Sequence, residues 1–142
     1  MKGIGQSSGK AELPLDARIG LSGDYGIAWL LVRLCVFSHA RELMFLSERI
    51  DARRAETLGL VNRVVPDTEL RKAALALANY LAEGPAVAYA SMKDNLDYAA
   101  TSGFLEALDY EAENMVRTAQ TSDHKEAVRA FVEKRRPSFN GN

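Results

Sequence analysis

The stretch from Tyr25 to Leu34 reads Tyr-Gly-Ile-Ala-Trp-Leu-Leu-Val-Arg-Leu, and as a helix it is apolar on nearly every side. Such a helix needs cover on several faces at once. The next predicted helix, from Ser38 to about Leu46, has the same character. Leaving roughly 400 Å² of such surface in water would forgo about 10 kcal/mol at ~25 cal/mol per Å². Whole domains are stable by only about 5–15 kcal/mol. The chain holds 142 residues, 47% of them hydrophobic, enough for one globular domain. Its later helices can wrap one another, whereas Tyr25 to Leu34 calls for cover by another chain or for local refolding. An oligomer is expected.

Charge and cysteine content exclude several classes. With 18 basic and 19 acidic residues the formal charge is −1, and there is no extended basic stripe to displace phosphate counterions, so a nucleic-acid partner is not expected. The single cysteine, Cys35, cannot form an intramolecular disulfide and sits in an apolar run as a packing residue. The most apolar stretch, Ile27 to Phe37, is broken by Arg33 and is too short for a bilayer. Met1 onward lacks the apolar core of a signal peptide. No membrane partner and a cytoplasmic location are the expectations.

Residues 1–15 read as a flexible leader, small and polar through Lys10. Gly9-Lys10 ends like a phosphate-binding loop, but Ile4 stands where its first glycine belongs and Ala11 replaces the Ser/Thr. Gly3-Ile-Gly5 fails as a dinucleotide fingerprint because position 8 is serine. Further on, Asp24 and Ser38 are predicted N-caps of the two apolar helices. Asp51 caps a short helix that Gly59 ends. Ile50 and the run Leu60–Val65 have the β-branched character of two short strands flanking it.

Asp67 opens a helix with Leu70, Ala74, Leu77, Ala78 and Leu81 at helical spacing. Gly84-Pro85 stops it and starts the next. A third begins near Ser102, with Phe104, Leu108, Ala112, Met115 and Ala119 along one face. Asp123-x-x-Glu126 has the form of a capping box for a last helix, which Pro137 terminates.

Among residues that carry chemistry, two carboxylates bracket the Ile19-Gly20 step, Asp16 on the incoming loop and Asp24 before the helix. Environments that separate their pKa values would divide acid and base roles between them. A helix dipole favours ionised Asp24, which suits a base better than an acid. The plainer role for Asp24 is a cap. Lys134, Arg135 and Arg136 form a cation cluster suited to phosphate, or else simply to a helix C-terminus; both readings stay open. His39 and His124 are far apart with no ligand-spaced partner, so no metal site is expected. Ser22 lacks the elbow pattern of a hydrolase nucleophile. Tyr25 and Trp29 fit an apolar pocket or, more simply, a core.

Three separated segments, Arg18-Ile-Gly-Leu-Ser-Gly-Asp-Tyr-Gly26, Arg41-Glu-Leu-Met-Phe-Leu-Ser47 and Gly59-Leu-Val-Asn-Arg-Val-Val-Pro66, keep one order and spacing. Together they resemble the second half of an enoyl-CoA hydratase/isomerase of the crotonase superfamily. The resemblance runs from about Arg18 to the C-terminus, and Met92-Lys93-Asp-Asn-Leu96 joins it as a packing segment. Leu34-Cys-Val36 departs from it, since family members end that helix with glycine.

The resemblance implies acyl-CoA thioester chemistry, in which two backbone N–H groups polarise the carbonyl and acids and bases surround the enolate. Classical hydratases carry a glutamate four residues before the glycine equivalent to Gly20, and Asp16, one methylene shorter, matches that position. Dienoyl-CoA isomerases and aryl-CoA dehalogenases carry an aspartate four residues after it, and Asp24 matches. By the same likeness Lys134 meets a phosphate of CoA and Phe131 lies against its adenine. A CoA thioester is then the substrate, with no cofactor required. The implied fold is mainly α with a short β pair, the C-terminal part of the crotonase (ClpP/crotonase-like) α/β fold without its N-terminal β-spiral. Residues 16–66 would end the core and 67–142 form a helical oligomerisation region, in a trimer or another multiple. Both oxyanion donors belong to the family's first half, and no Gly-Gly-Gly segment occurs in these 142 residues. The expectation is a truncated enzyme, catalytically incomplete alone. The alternative is a non-catalytic oligomeric helical assembly or CoA-binding module.

Overall fold

A computed structural model of the chain describes residues 4–6, 10–11 and 16–142. They fall into two compact units, residues 1–76 and 77–142.

In the first unit strand β1, Ile4–Gln6, pairs in parallel with β4, Arg63–Val65, and β2, Lys10–Ala11, pairs antiparallel with β3, Ile50–Asp51. The two expected strands therefore exist but do not pair with each other. Each takes its partner from the stretch expected to be a flexible leader. Pairing of this kind uses backbone donors and acceptors, which small polar residues supply as well as any others and composition does not betray. The leader's remaining residues and Leu13-Pro-Leu15 lie outside the described ones.

Helix α1, Ile27–Leu34, and α2, Phe37–Leu46, pack against each other around Leu31, Ala40 and Leu43, joined by Leu58, the residue that follows α3, Ala52–Thr57, with Ile27, Cys35, Met44, Ile50 and Leu60 closing in. Burying a Leu or Ile side chain here is worth ~1.5–3 kcal/mol. One stripe of each apolar helix is used, and the rest is bare: Trp29, Leu30, Val32, Phe37 and Phe45 are all exposed.

The caps differ in instructive ways. Asp51 accepts the Arg54 N–H at 2.7 Å, the N-cap its sequence position predicts. Gly59, at φ 77°, then closes α3, donating to the Glu56 carbonyl, while Leu60 donates to that of Ala55. The expected cap at Ser38 is displaced, because α2 starts two residues earlier with extended Val36 at its N-cap. At Leu34-Cys-Val36, Cys35 adopts an extended conformation and its thiol donates to the Leu31 carbonyl.

Helix α4, Asp67–Ala82, runs through the division between units and buries none of its residues fully. In the second unit α5, Ala86–Ala99, and α6, Phe104–Ala119, pack against each other, followed by α7, Ser122–Val132. The α5–α6 seam is polar. Buried Asn114 donates to Asn95, Arg117 donates to buried Ser91, and Tyr98 stacks on Tyr110 at 4.4 Å. The face expected to pack points outward instead: Phe104 is 80% and Met115 67% exposed. The sequence marks the stripe correctly; the polar residues on the opposite side take the hairpin contact because their hydrogen bonds pair each other in place of water.

Candidate active-site segment and C-terminal strap

Asp16 opens a short 3-10 turn, Asp16–Ile19, which Gly20 ends at φ 75°. After Leu21 and Ser22 the backbone passes through Gly23 at φ 102°, Tyr25 at 48° and Gly26 at 76°. Asp24 to Ile27 form a tight turn whose two central residues are both left-handed, closed by the Ile27 N–H on the Asp24 carbonyl at 3.0 Å. Glycine takes this conformation freely, but for Tyr25 it costs about 1–2 kcal/mol. Strain of this kind concentrates at functional sites. Tyr25 is 96% exposed, so packing of its ring within the chain does not hold it there.

This turn corrects the reading of Asp24 as a helix cap. The N-cap of α1 is Gly26, which lacks a side chain, and Asp24 contributes its carbonyl rather than its carboxylate. The Asp24 carboxylate is exposed and makes no hydrogen bond or ion pair among the described residues. A base needs that state, and a cap does not have it. Tyr25 and Trp29 are exposed beside it in sequence rather than in a core.

In the second unit α7 ends in a six-residue closing motif. The Lys134 N–H donates to the Phe131 carbonyl at 3.2 Å and the Arg135 N–H to that of Ala130 at 3.0 Å. This is the arrangement that Gly59 makes after α3, but here Lys134 occupies the left-handed position, at φ 54°. Phe131 is 85% exposed. Lys134 is exposed and pairs with no carboxylate among the described residues.

The cation cluster does not survive as a triplet. Arg135 grips both oxygens of Glu126, at 2.6 and 3.0 Å, and donates its Nε to Glu133 at 2.6 Å. Arg136 pairs with Glu83 at 2.6 Å. Two of three guanidinium or ammonium charges are thus neutralised, leaving Lys134. The Arg135 guanidinium, with help from the Ser138 N–H, holds the Glu126 carboxyl down at about 2 against an ordinary 4.5, and Glu126 in turn raises Arg135.

The expected capping box at Asp123 and Glu126 is also corrected. Thr121 caps α7, accepting the His124 N–H at 3.1 Å. Asp123, buried, instead accepts the N–H groups of Asn140 and Gly141 at 2.8 and 3.0 Å. The Asn142 carbonyl accepts from the Asp123 N–H and the Ser122 hydroxyl. Residues 135–142 are thereby strapped back along α7. Sequence reading missed this strap because both carboxylates fit a local capping pattern.

A model of the family described as enoyl-CoA hydratase/isomerase matches residues 11–142. The chain is 32% identical over 125 residues to the 1,2-epoxyphenylacetyl-CoA isomerase of Escherichia coli, covering 88% of this chain and 48% of that protein. It is 32% identical over 121 residues to the short-chain-enoyl-CoA hydratase of Clostridium acetobutylicum, covering 85% of this chain and 46% of that one. The crystal structure of an enoyl-CoA hydratase from Bacillus anthracis superposes with a TM-score of 0.92 at 27% identity, over 98% of this chain and 54% of that one. The chain spans about half the length of the curated relatives it matches. Among the described residues no helix is long and apolar enough to cross a membrane.

Proposed function

The chain belongs to the enoyl-CoA hydratase/isomerase family, and on that premise we propose that it carries one half of an acyl-CoA thioester site and is catalytically incomplete on its own. Asp24 is the base or charge stabiliser of the enolate, and Asp16 the auxiliary acid. The observation that carries this reading is the Asp24 carboxylate, unengaged among the described residues, on a turn that holds Tyr25 in a left-handed conformation. A general base contributes ~10²–10⁴ in rate when positioned against its proton. Lys134 meets a phosphate of CoA and Phe131 lies against the adenine, supported by the exposure of both side chains three residues apart. The thioester is the substrate and no separate cofactor takes part. The protein works in the cytoplasm as a homo-oligomer, through the apolar faces of α1 and α6.

The carbonyl-polarising donors must come from the half of the relatives that this chain does not match, and each is worth ~10²–10³ in turnover. The 142 residues alone should therefore bind a short enoyl-CoA without hydrating or isomerising it. Joined to the unmatched half of a relative, the chain should gain turnover that Asp24→Asn lowers about 100-fold or more. Calorimetry should show CoA binding weakened by Lys134→Ala. Turnover indifferent to Asp24→Asn would remove the catalytic assignment. The uncovered stripe of α6 favours a second reading, a non-catalytic oligomeric helical assembly or CoA-binding module, and absence of turnover in the joined protein would select it.

A further inference from the structure

We infer that the C-terminal strap is a positioning device for Lys134, with Glu126 and Asp123 as positioning residues that hold residues 135–142 and so fix the backbone of the lysine before them. The inference rests on the reading of Lys134 as a CoA contact. Lys134 occupies a left-handed conformation, φ 54°, where the equivalent place after α3 has Gly59. A non-glycine residue stays there only when its surroundings over-determine it. Here the surroundings are explicit. Just past Lys134, Arg135 is held by Glu126 and Glu133, and Arg136 by Glu83. The Ser138 N–H is taken by Glu126, those of Asn140 and Gly141 by Asp123, and the Asn142 carbonyl by Ser122 and Asp123. On the helical side the Phe131 carbonyl accepts the Lys134 N–H itself. The chain is fixed on both sides of one exposed ammonium that no carboxylate among the described residues occupies. Arg135, the neighbour that sequence offers as a second phosphate ligand, is the clamp rather than the contact. A preset contact of this sort spares the ligand the cost of ordering it.

A double-mutant cycle on the full chain tests the inference, with CoA binding read by calorimetry. Glu126→Gln keeps the side chain's shape while removing its charge. It should weaken CoA about fivefold when Lys134 is present and have no further effect in a Lys134→Ala background. Trypsin should cut after Lys134 and Arg135 about tenfold faster in Glu126→Gln and in Asp123→Asn, with cutting after Arg53 unchanged as an internal control for folding. Equal weakening in both backgrounds would make the strap merely structural and overturn the inference. So would unchanged CoA binding in Glu126→Gln when Lys134→Ala loses it, an outcome that leaves the CoA reading intact. Unchanged binding in Lys134→Ala itself would sink that reading and the inference together.

Discussion

Gly59 and Lys134 occupy the same place after two different helices, and only one of them suits it. At Gly59 a Cβ would meet the left-handed penalty, so Gly59→Ala should lower stability by about 1 kcal/mol. At Lys134 that penalty is already present, and Lys134→Gly should raise the melting temperature slightly or leave it unchanged. Thermal unfolding of both variants checks this; equal losses would mean that the left-handed geometry of Lys134 is not strained. Gly59 and Asp51 were legible in the sequence because glycine and aspartate announce these positions. Tyr25 and Lys134 were not, since neither residue type signals positive φ. Asp24 was legible as an acid before a helix but not as one unengaged among the described residues. That depends on Gly26 taking the cap position.

At the scale of elements, α7 and its strap form a unit held by charge. Glu126 titrates near 2 in the fold against an ordinary 4.5, chiefly through its bond to Arg135, then through the Ser138 N–H and the nearby charge of Arg129. A carboxyl depressed by folding contributes stability that is fully present above about 4.5 and is lost as pH falls toward 2. Nuclear magnetic resonance of the Glu126 carboxyl and the Ser138 amide should show a shared midpoint near 2. A midpoint at the ordinary value would mean that Arg135 does not grip the carboxylate. Helix positions were readable from periodicity throughout, because a 3.6-residue repeat is local. Partners were not. The polar seam of Asn114, Asn95, Ser91 and Arg117 takes the α5–α6 contact that the apolar stripe of α6 was expected to make. Strands β3 and β4 found partners in a stretch whose composition gave no sign of them.

For the molecule as a whole, bare apolar surface remains where the sequence demanded cover: Trp29 and Phe45 in the first unit, Phe104, Leu105 and Met115 in the second. Stable single chains do not leave stripes of this size in water without a use for them. In the proposed homo-oligomer these faces lean on surfaces that one copy does not provide. Sedimentation equilibrium of the 142-residue chain at micromolar concentration tests that most directly. A mass that is a multiple of 15.6 kDa, reduced by Phe104→Glu together with Leu105→Glu, is the expected result. A folded, helical monomer of 15.6 kDa that stays soluble with those faces bare would contradict it.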